Sequence, residues 1–411
     1  MNAERQFRIA VRKFPPFESA IRKQWNAFEA QEHTGLILDA QAFDLHPLAE
    51  TLFEQRGEWD VAFLNTDWMA SAHGSRAVLN LAPLIETHPP DGYPDAWTPS
   101  VLRLQNVDGY ILGLPYHDGP ECLIYRKDLF ESPDEQRAYE ARFGRPLAIP
   151  KTWSEFGQIA RFFQRPDQGL YGSVFAGFPD GHNTVYDFLI QLWTRGGEFV
   201  DKAGTIQFET EAAAEGLAFY RQILQSGSAA HPNSSQMDSV KSGLAFLNGE
   251  VAMMVNWFGF AAMAETFAQS RVKGRVDIAD VPCTETGTPA SLNVYWILSI
   301  AAGSRHPQVA YKFLRHCATA PMDKLLTMEG GTGCRKSTWK DPDVNRIIPF
   351  YDRLEALHRN ARELPRMAQW PQVAAIIDEV ITATVHSDKP IAEILHAAQT
   401  KMQECRWSAH L

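Results

Sequence analysis

The chain has 411 residues, 45% of them hydrophobic and 11% aromatic, which is too long for one ordinary domain and enough to bury two sizeable cores. A formal charge of −10 and a pI near 5.7 exclude a general affinity for nucleic acid or anionic membrane, since either needs clustered Lys and Arg. Cys122, Cys283, Cys317, Cys334 and Cys405 are scattered, odd in number and without a CxxC pair, so no disulfide framework, metal site or cofactor is expected.

In chain order, "FRIAV" (7–11) reads as a short strand. "SAIRKQWNAFEAQEH" (19–33) spaces Ile21, Trp25 and Phe28 for a helix, and "TGLILDAQ" gives a second strand. "EWDVAFLNT" (58–66) is a third, with a polar end at Asn65, Thr66 and Asp67 where ligand sites gather in open α/β sheets. "GLPYHDGPECLIYRKDLF" (113–130) is apolar at both ends and polar at its centre, with His117, Asp118 and Glu121 where a buried strand should be driest. "PKTWSEFGQIARFF" (150–163) opens a helix with a capping box, Thr152 to Glu155. "TEAAAEGLAFYRQILQSG" (210–227) is an amphipathic helix ending at Gly. Residues 240–267 read as a short helix, a turn at Asn248-Gly249, a strand from Val251 to Val255, then "NWFGF" and another helix. "VYWILSIAAGSRHPQVAYKFLRHCA" repeats strand, turn and helix, and the pattern is mostly helical beyond Pro342. No run approaches the roughly 18 apolar residues of a membrane span.

There is no nucleophile elbow, HExxH or GxGxxG after a strand, and "GGTGCRKS" (330–337) lacks GK[ST] at the offset a phosphate loop needs. What recurs is an aromatic residue beside hydrogen-bonding ones at segment ends: Asp67 with Trp68; Tyr116, His117 and Asp118; His182 and Asn183 near Tyr186; Asn256, Trp257 and Phe258; Asn293, Tyr295 and Trp296; Arg366 with Trp370. A sugar has an apolar C–H face and a rim of hydroxyls, so stacking rings surrounded by Asp, Asn, Arg and His match its chemistry. Trp153 and Trp193, inside predicted helices, are expected in the core.

The blocks "EWDVAFLNTDWM", "GLPYHDGPECLIYRKDLFE", "PKTWSEF", "FLNGEVAMMVNWFGF" and "ILSIAAGSRHPQVAYKFLRHCA" resemble, in order, the family 1 extracellular solute-binding proteins of ABC transporters, the group that includes maltose-binding protein. The resemblance implies an α/β, two-lobed periplasmic-binding-protein fold, each lobe a sheet flanked by helices, with the ligand in the interlobe cleft. It implies a first lobe of 1–115 plus 281–317, a second of 116–280 plus 318–411, and crossings near 116–120, 279–283 and 317–320. His117 to Glu121 then sit on a crossing segment and not in a dry sheet, Asp67 and Trp68 on a first-lobe ligand loop, and Tyr186, Trp257 and Phe258 on second-lobe segments. Trp370 falls on the C-terminal helical part that supplies a stacking ring. Arg335 and Arg366 either form structural salt bridges or bind an acidic ligand.

The expected function is a non-enzymatic, monomeric protein that captures a mono- or disaccharide or polyol and delivers it to ABC permease subunits. The N-terminus "MNAERQFRIAVRKF" is not a charged stub followed by an apolar segment, so the expectation is a periplasmic or extracellular protein whose export signal has been removed. The alternatives are a glycosidase using Asp118 and Glu121, which needs a suitable carboxylate spacing, and a cytoplasmic sugar sensor on the same fold.

Overall fold

A computed structural model describes residues 5–54, 58–225, 227, 229–367 and 369–404; Cys405 lies outside these. The main strands are β1 Gln6–Arg12, β2 Ile37–Phe43, β3 Val61–Asn65, β4 Leu114–His117, β5 Glu121–Arg126, β6 Tyr171–Val174, β7 Val251–Trp257, β8 Val276–Ala279 and β9 Trp296–Ile300. Contacts divide the chain into unit 1, Met1–Pro120 with Asn293–His358, and unit 2, Glu121–Leu292 with Arg359–Leu411.

Unit 1 has a five-stranded sheet in the order β2-β1-β3-β9-β4, with β1 parallel to both neighbours and β9 antiparallel to both of its own. The helix expected from Ser19 begins at Pro15, because Pro15 and Pro16 occupy the first helical positions, where a missing N–H costs nothing. Its Trp25 stacks on Phe7 of β1 at 4.6 Å, and Phe313 of the helix Pro307–Cys317 meets Trp25 at 5.3 Å. Each such buried ring removes enough apolar area from water to stabilise by about 2–3 kcal/mol.

Unit 2 has a four-stranded sheet in the order β8-β5-β7-β6, with β5 antiparallel to both neighbours and β6 parallel to β7. The expected capping box opens the helix Trp153–Phe163, with Thr152 and Glu155 bonding reciprocally. Asn248-Gly249 makes the expected turn, Gly249 taking φ 79°, and the following strand runs two residues further than expected, to Trp257. At Gly172 in β6 an added Cβ would lie 1.8 Å from the Ala160 carbonyl oxygen, so strand and helix touch only because the side chain is absent.

Three segments fall in units other than expected. Residues 116–120 belong to unit 1: His117 pairs with Trp296 of β9, and the Asp118 N–H donates to the Thr332 carbonyl at 2.9 Å. Residues 281–292 belong to unit 2: Cys283 exchanges backbone bonds with Lys151 and Trp153, and the Ser291 hydroxyl donates to the Glu121 carbonyl. Residues 318–358 belong to unit 1 because the helix Ala320–Met328 packs on Pro15–Glu32, with Gln24 donating to the Met322 carbonyl at 3.1 Å. These are long-range bonds, which hydrophobic periodicity does not encode. Among the described residues Cys122, Cys283, Cys317 and Cys334 form no disulfide, and no helix is long and apolar enough to cross a membrane.

Candidate functional site

The apolar–polar–apolar stretch 113–130 is two strands in two sheets, β4 in unit 1 and β5 in unit 2, with Asp118, Gly119 and Pro120 between them. Its three ionisable side chains are handled in three different ways.

His117 lies among Phe14 and Phe17, at ring distances of 6.4 and 4.7 Å, and its Nδ1 accepts the Thr332 N–H at 2.8 Å. Burial pushes its pKa down to about 4, so the ring is neutral. Asp118 places Oδ2 at 2.5 Å from His358 Nε2, and His358 Nδ1 is 3.2 Å from the Ser100 hydroxyl. His358 also lies flat on Trp339, centroids 5.0 Å apart at 14°. The connectivity Asp118–His358–Ser100 is that of a nucleophile–base–acid relay. The Asn293 side chain adds a bond from Nδ2 to the Ser100 carbonyl at 3.4 Å. Asp118, Asn293 and His358 each lie within three residues of a point where the chain passes from one unit to the other, so all three passages are fastened to the helix Pro99–Leu104.

Glu121 is different, for no described residue donates to its carboxyl. It is 4% exposed, and its Oε2 is fully buried without a partner. Antiparallel pairing sets Glu121 opposite Trp257, placing both side chains on one face of the sheet, where Trp257 remains half-buried. Tyr186, one turn into the helix Asn183–Trp193, meets Trp257 at 5.7 Å edge to face, and its hydroxyl lies 2.8 Å from His182 Nδ1. Asp187 follows on that helix and accepts the Tyr220 hydroxyl at 2.9 Å. Burial, then the charge of Asp187, raises the Glu121 pKa well above the carboxylate range; burial raises Asp187 to about 7 against the opposing Tyr220 bond.

In unit 1, Trp296 stands between Asn65 of β3 and His117 of β4 in the sheet register and meets Trp68 edge to face at 5.7 Å. The Asn65 side chain accepts the Asp67 N–H at 3.1 Å, which turns the chain so that Asp67 and Trp68 leave the strand end. Trp296 and Asp67 are half-buried.

Several residues expected to contact ligand are engaged within the protein. Tyr116, 2% exposed, packs on Phe63 and Phe17 and donates to Gln24 at 2.9 Å. Tyr295, 1% exposed, donates to the Val101 carbonyl at 2.5 Å. Asn256 faces the helix Ser239–Leu247, bonding Ser239 and Ser242, because alternation along β7 turns it away from Trp257; Phe258 is wholly buried. Asn183 is held by Asp180, with Nδ2 to Oδ2 at 3.0 Å. Arg335 is buried, donates to the Asp91 and Ala318 carbonyls at 2.9 and 2.7 Å, pairs with the Asp91 carboxylate at 3.5 Å and lies 4.8 Å over Trp97. The loop 330–337 spends its N–H groups on protein: Cys334 and Arg335 donate to Asp323, and Gly333 to Thr327 and Tyr351.

Arg366 is exposed and bonds Glu363 at 3.0 Å. It lines a cavity of about 190 Å³ with Trp193, Phe199 and Arg362, whose guanidinium lies 4.8 Å over Trp193. Trp370, expected to stack on ligand, is 5% exposed and set edge-on to Phe199 at 6.3 Å, as buried here as the core residues Trp153 and Trp193. Sequence reasoning missed Asp187, Tyr220, Ser100 and His358. Only Asp187 carried a signal, being one acid in the middle of "NTVYDFLIQLW", a helix whose eleven residues are all buried.

Residues 15–324 match the family described as bacterial extracellular solute-binding protein. A probable ABC transporter-binding protein of Deinococcus radiodurans is 25% identical over 273 residues, 65% of this chain and 61% of that one, so the match spans less than two thirds of that relative. The mannitol-binding protein of Pseudomonas aeruginosa is 23% identical over 338 residues, 77% of this chain and 74% of its own. Among solved structures, an ABC transporter solute-binding protein of Agrobacterium radiobacter K84 in complex with ribitol superposes with a TM-score of 0.84 at 22% identity, covering 97% of this chain and 98% of its own. The likeness shows the expected fold class, two α/β units of a binding protein.

Proposed function

The chain belongs to the bacterial extracellular solute-binding proteins, and we propose that it captures a small polyhydroxylated molecule, a sugar alcohol or monosaccharide, outside the cytoplasm and delivers it to an ABC importer without chemical change. The observation that carries this is the pairing of Glu121 with Trp257: a carboxyl with free hydrogen-bonding capacity across the strand from a half-buried ring. A carboxyl that meets hydroxyls and a ring that meets a C–H face are the two halves of carbohydrate recognition. In unit 1 the half-buried Trp296 and Asp67 lie beside the buried Trp68 at the end of β3. The mannitol-binding relative and the ribitol-bound neighbour support a polyol-sized ligand.

The glycosidase alternative is weakened by Asp118, whose Oδ2 is engaged by His358. We read the Asp118–His358–Ser100 relay as a strut, since it joins the segments at which the chain changes units. A thermal-shift screen over sugars, sugar alcohols and their amino derivatives tests the function. A ligand at a hundred times its Kd adds about 2.7 kcal/mol and raises the melting temperature, and is then recovered intact after long incubation. No shift with any member of the panel refutes carbohydrate capture, and hydrolysed or oxidised product reinstates an enzyme.

A further inference from the structure

We infer that the captured molecule carries a positively charged amine beside its hydroxyls, an amino sugar or amino polyol, and that Glu121 is its counter-ion. The inference rests on the carbohydrate reading above and specifies the ligand within it.

Glu121 and Asp187 are 4% and 8% exposed, and neither has a lysine, arginine or histidine as hydrogen-bond or ion-pair partner among the described residues. The groups around them give neither carboxyl a cationic partner, the charge of His182 acting on Asp378 instead. Tyr220 donates a phenol hydroxyl to Asp187. Asp378 is another acid, already satisfied by the Gly181 N–H at 2.7 Å and the Thr184 hydroxyl. His182 is turned to Tyr186. Glu121 alone is left bare, and the strand register points it to the side of the sheet where Trp257 is still partly open.

Two buried carboxyls without a cation repel each other and resist ionisation, so in the ligand-free protein both hold their protons to higher pH than ordinary carboxyls do, as the raised pKa values of both express. Such an arrangement costs stability, and a glutamine at 121 would avoid that cost while still serving a hydroxyl. What a carboxyl offers and an amide does not is a charge. As an ammonium binds, Glu121 releases its proton to solvent, and the ammonium forms charge-assisted hydrogen bonds with the carboxylate and lies against the face of Trp257, which attracts cations through its ring quadrupole. Among the described residues no group of three or more His, Cys, Asp or Glu is placed together to hold a metal ion.

Isothermal titration of the full chain near neutral pH compares 1-amino-1-deoxy-D-sorbitol and D-glucosamine with D-sorbitol and D-glucose, and with N-acetyl-D-glucosamine, whose nitrogen is uncharged. At least one amine is expected to bind about tenfold or more tightly than its hydroxyl counterpart, which is about 1.4 kcal/mol. N-acetylation should erase that advantage in the unaltered protein, and Glu121→Gln should bring the ratio to within about twofold. The acetylated ligand needs no variant, so the idea stays open to refutation even where Glu121→Gln fails to fold. If neutral polyols bind as tightly as amines, or if the preference survives Glu121→Gln, the inference is wrong while carbohydrate capture stands. If nothing polyhydroxylated binds, carbohydrate capture fails and the inference falls with it.

Discussion

Replacing Asp187 by Asn isolates what the buried carboxyl pair does to stability. Asp187 is held near pKa 7 in the fold against an ordinary 3.8, burial being the main cause. A folded-state pKa above the unfolded one means that the native protein holds a proton the unfolded chain has released. The associated stability is therefore complete below about pH 3.8 and lost as pH rises through about 7. The span of roughly 3 pH units, at 1.36 kcal/mol each, amounts to about 4 kcal/mol. Asn mimics the protonated acid and its oxygen still accepts the Tyr220 hydroxyl, so the variant should match wild type near pH 4 and gain on it steadily, by up to about 4 kcal/mol at pH 8. His117 acts in the opposite sense: its pKa, lowered by burial from 6.5 to about 4, makes the unfolded chain the better proton binder, so stability falls as pH falls from about 6.5 to 4. The wild-type profile alone therefore mixes two opposed slopes, and the quantity to plot is the difference between variant and wild type. Urea unfolding followed by tryptophan fluorescence at half-unit steps from pH 4 to 8 supplies it. A difference that is flat with pH, or a variant less stable than wild type at pH 8, refutes the account of the pair.

Gly172→Ala should cost more than about 3 kcal/mol or prevent folding, since the backbone carbonyl at 1.8 Å cannot step aside as a side chain would; circular dichroism melting checks this. His358→Ala and Asp118→Ala should each cost about 3 kcal/mol, while the double variant costs little more than either, because each single change strands a buried partner; a double-mutant cycle in urea measures the coupling, and additive costs would mean the relay is not a unit. Trp257→Ala should weaken binding of the best screened ligand by about 1–3 kcal/mol with little change in melting, whereas Trp193→Ala should lose about 3–5 kcal/mol of stability. Equal binding by Trp257→Ala, or unfolding of both variants, would remove Trp257 from the ligand site.

The sequence alone determined those features that depend on neighbours in the chain. The Thr152 capping box, the Asn248-Gly249 turn, the strand from Val251 and the helix through Trp25 follow from local rules of hydrogen bonding and periodicity, and each is present. The polar centre at 117–121 was legible as an interruption of a strand for the same reason, and the family was legible from five blocks in order. Tertiary structure decided everything that depends on which distant residues meet. An aromatic beside a polar residue reads the same whether it ends in a core or on a surface, and only packing sent Tyr116, Tyr295 and Trp370 inward and left Trp257 and Trp296 partly open. Residues 318–358 joined unit 1 through bonds to Gln24, Asp91 and Asp118, hundreds of positions away, which no local pattern announces. The state of each charge was settled in the same way: His117 became neutral, Asp118 found His358, and Glu121 found only Asp187, because burial and partners, not residue type, fix whether a buried group keeps its proton.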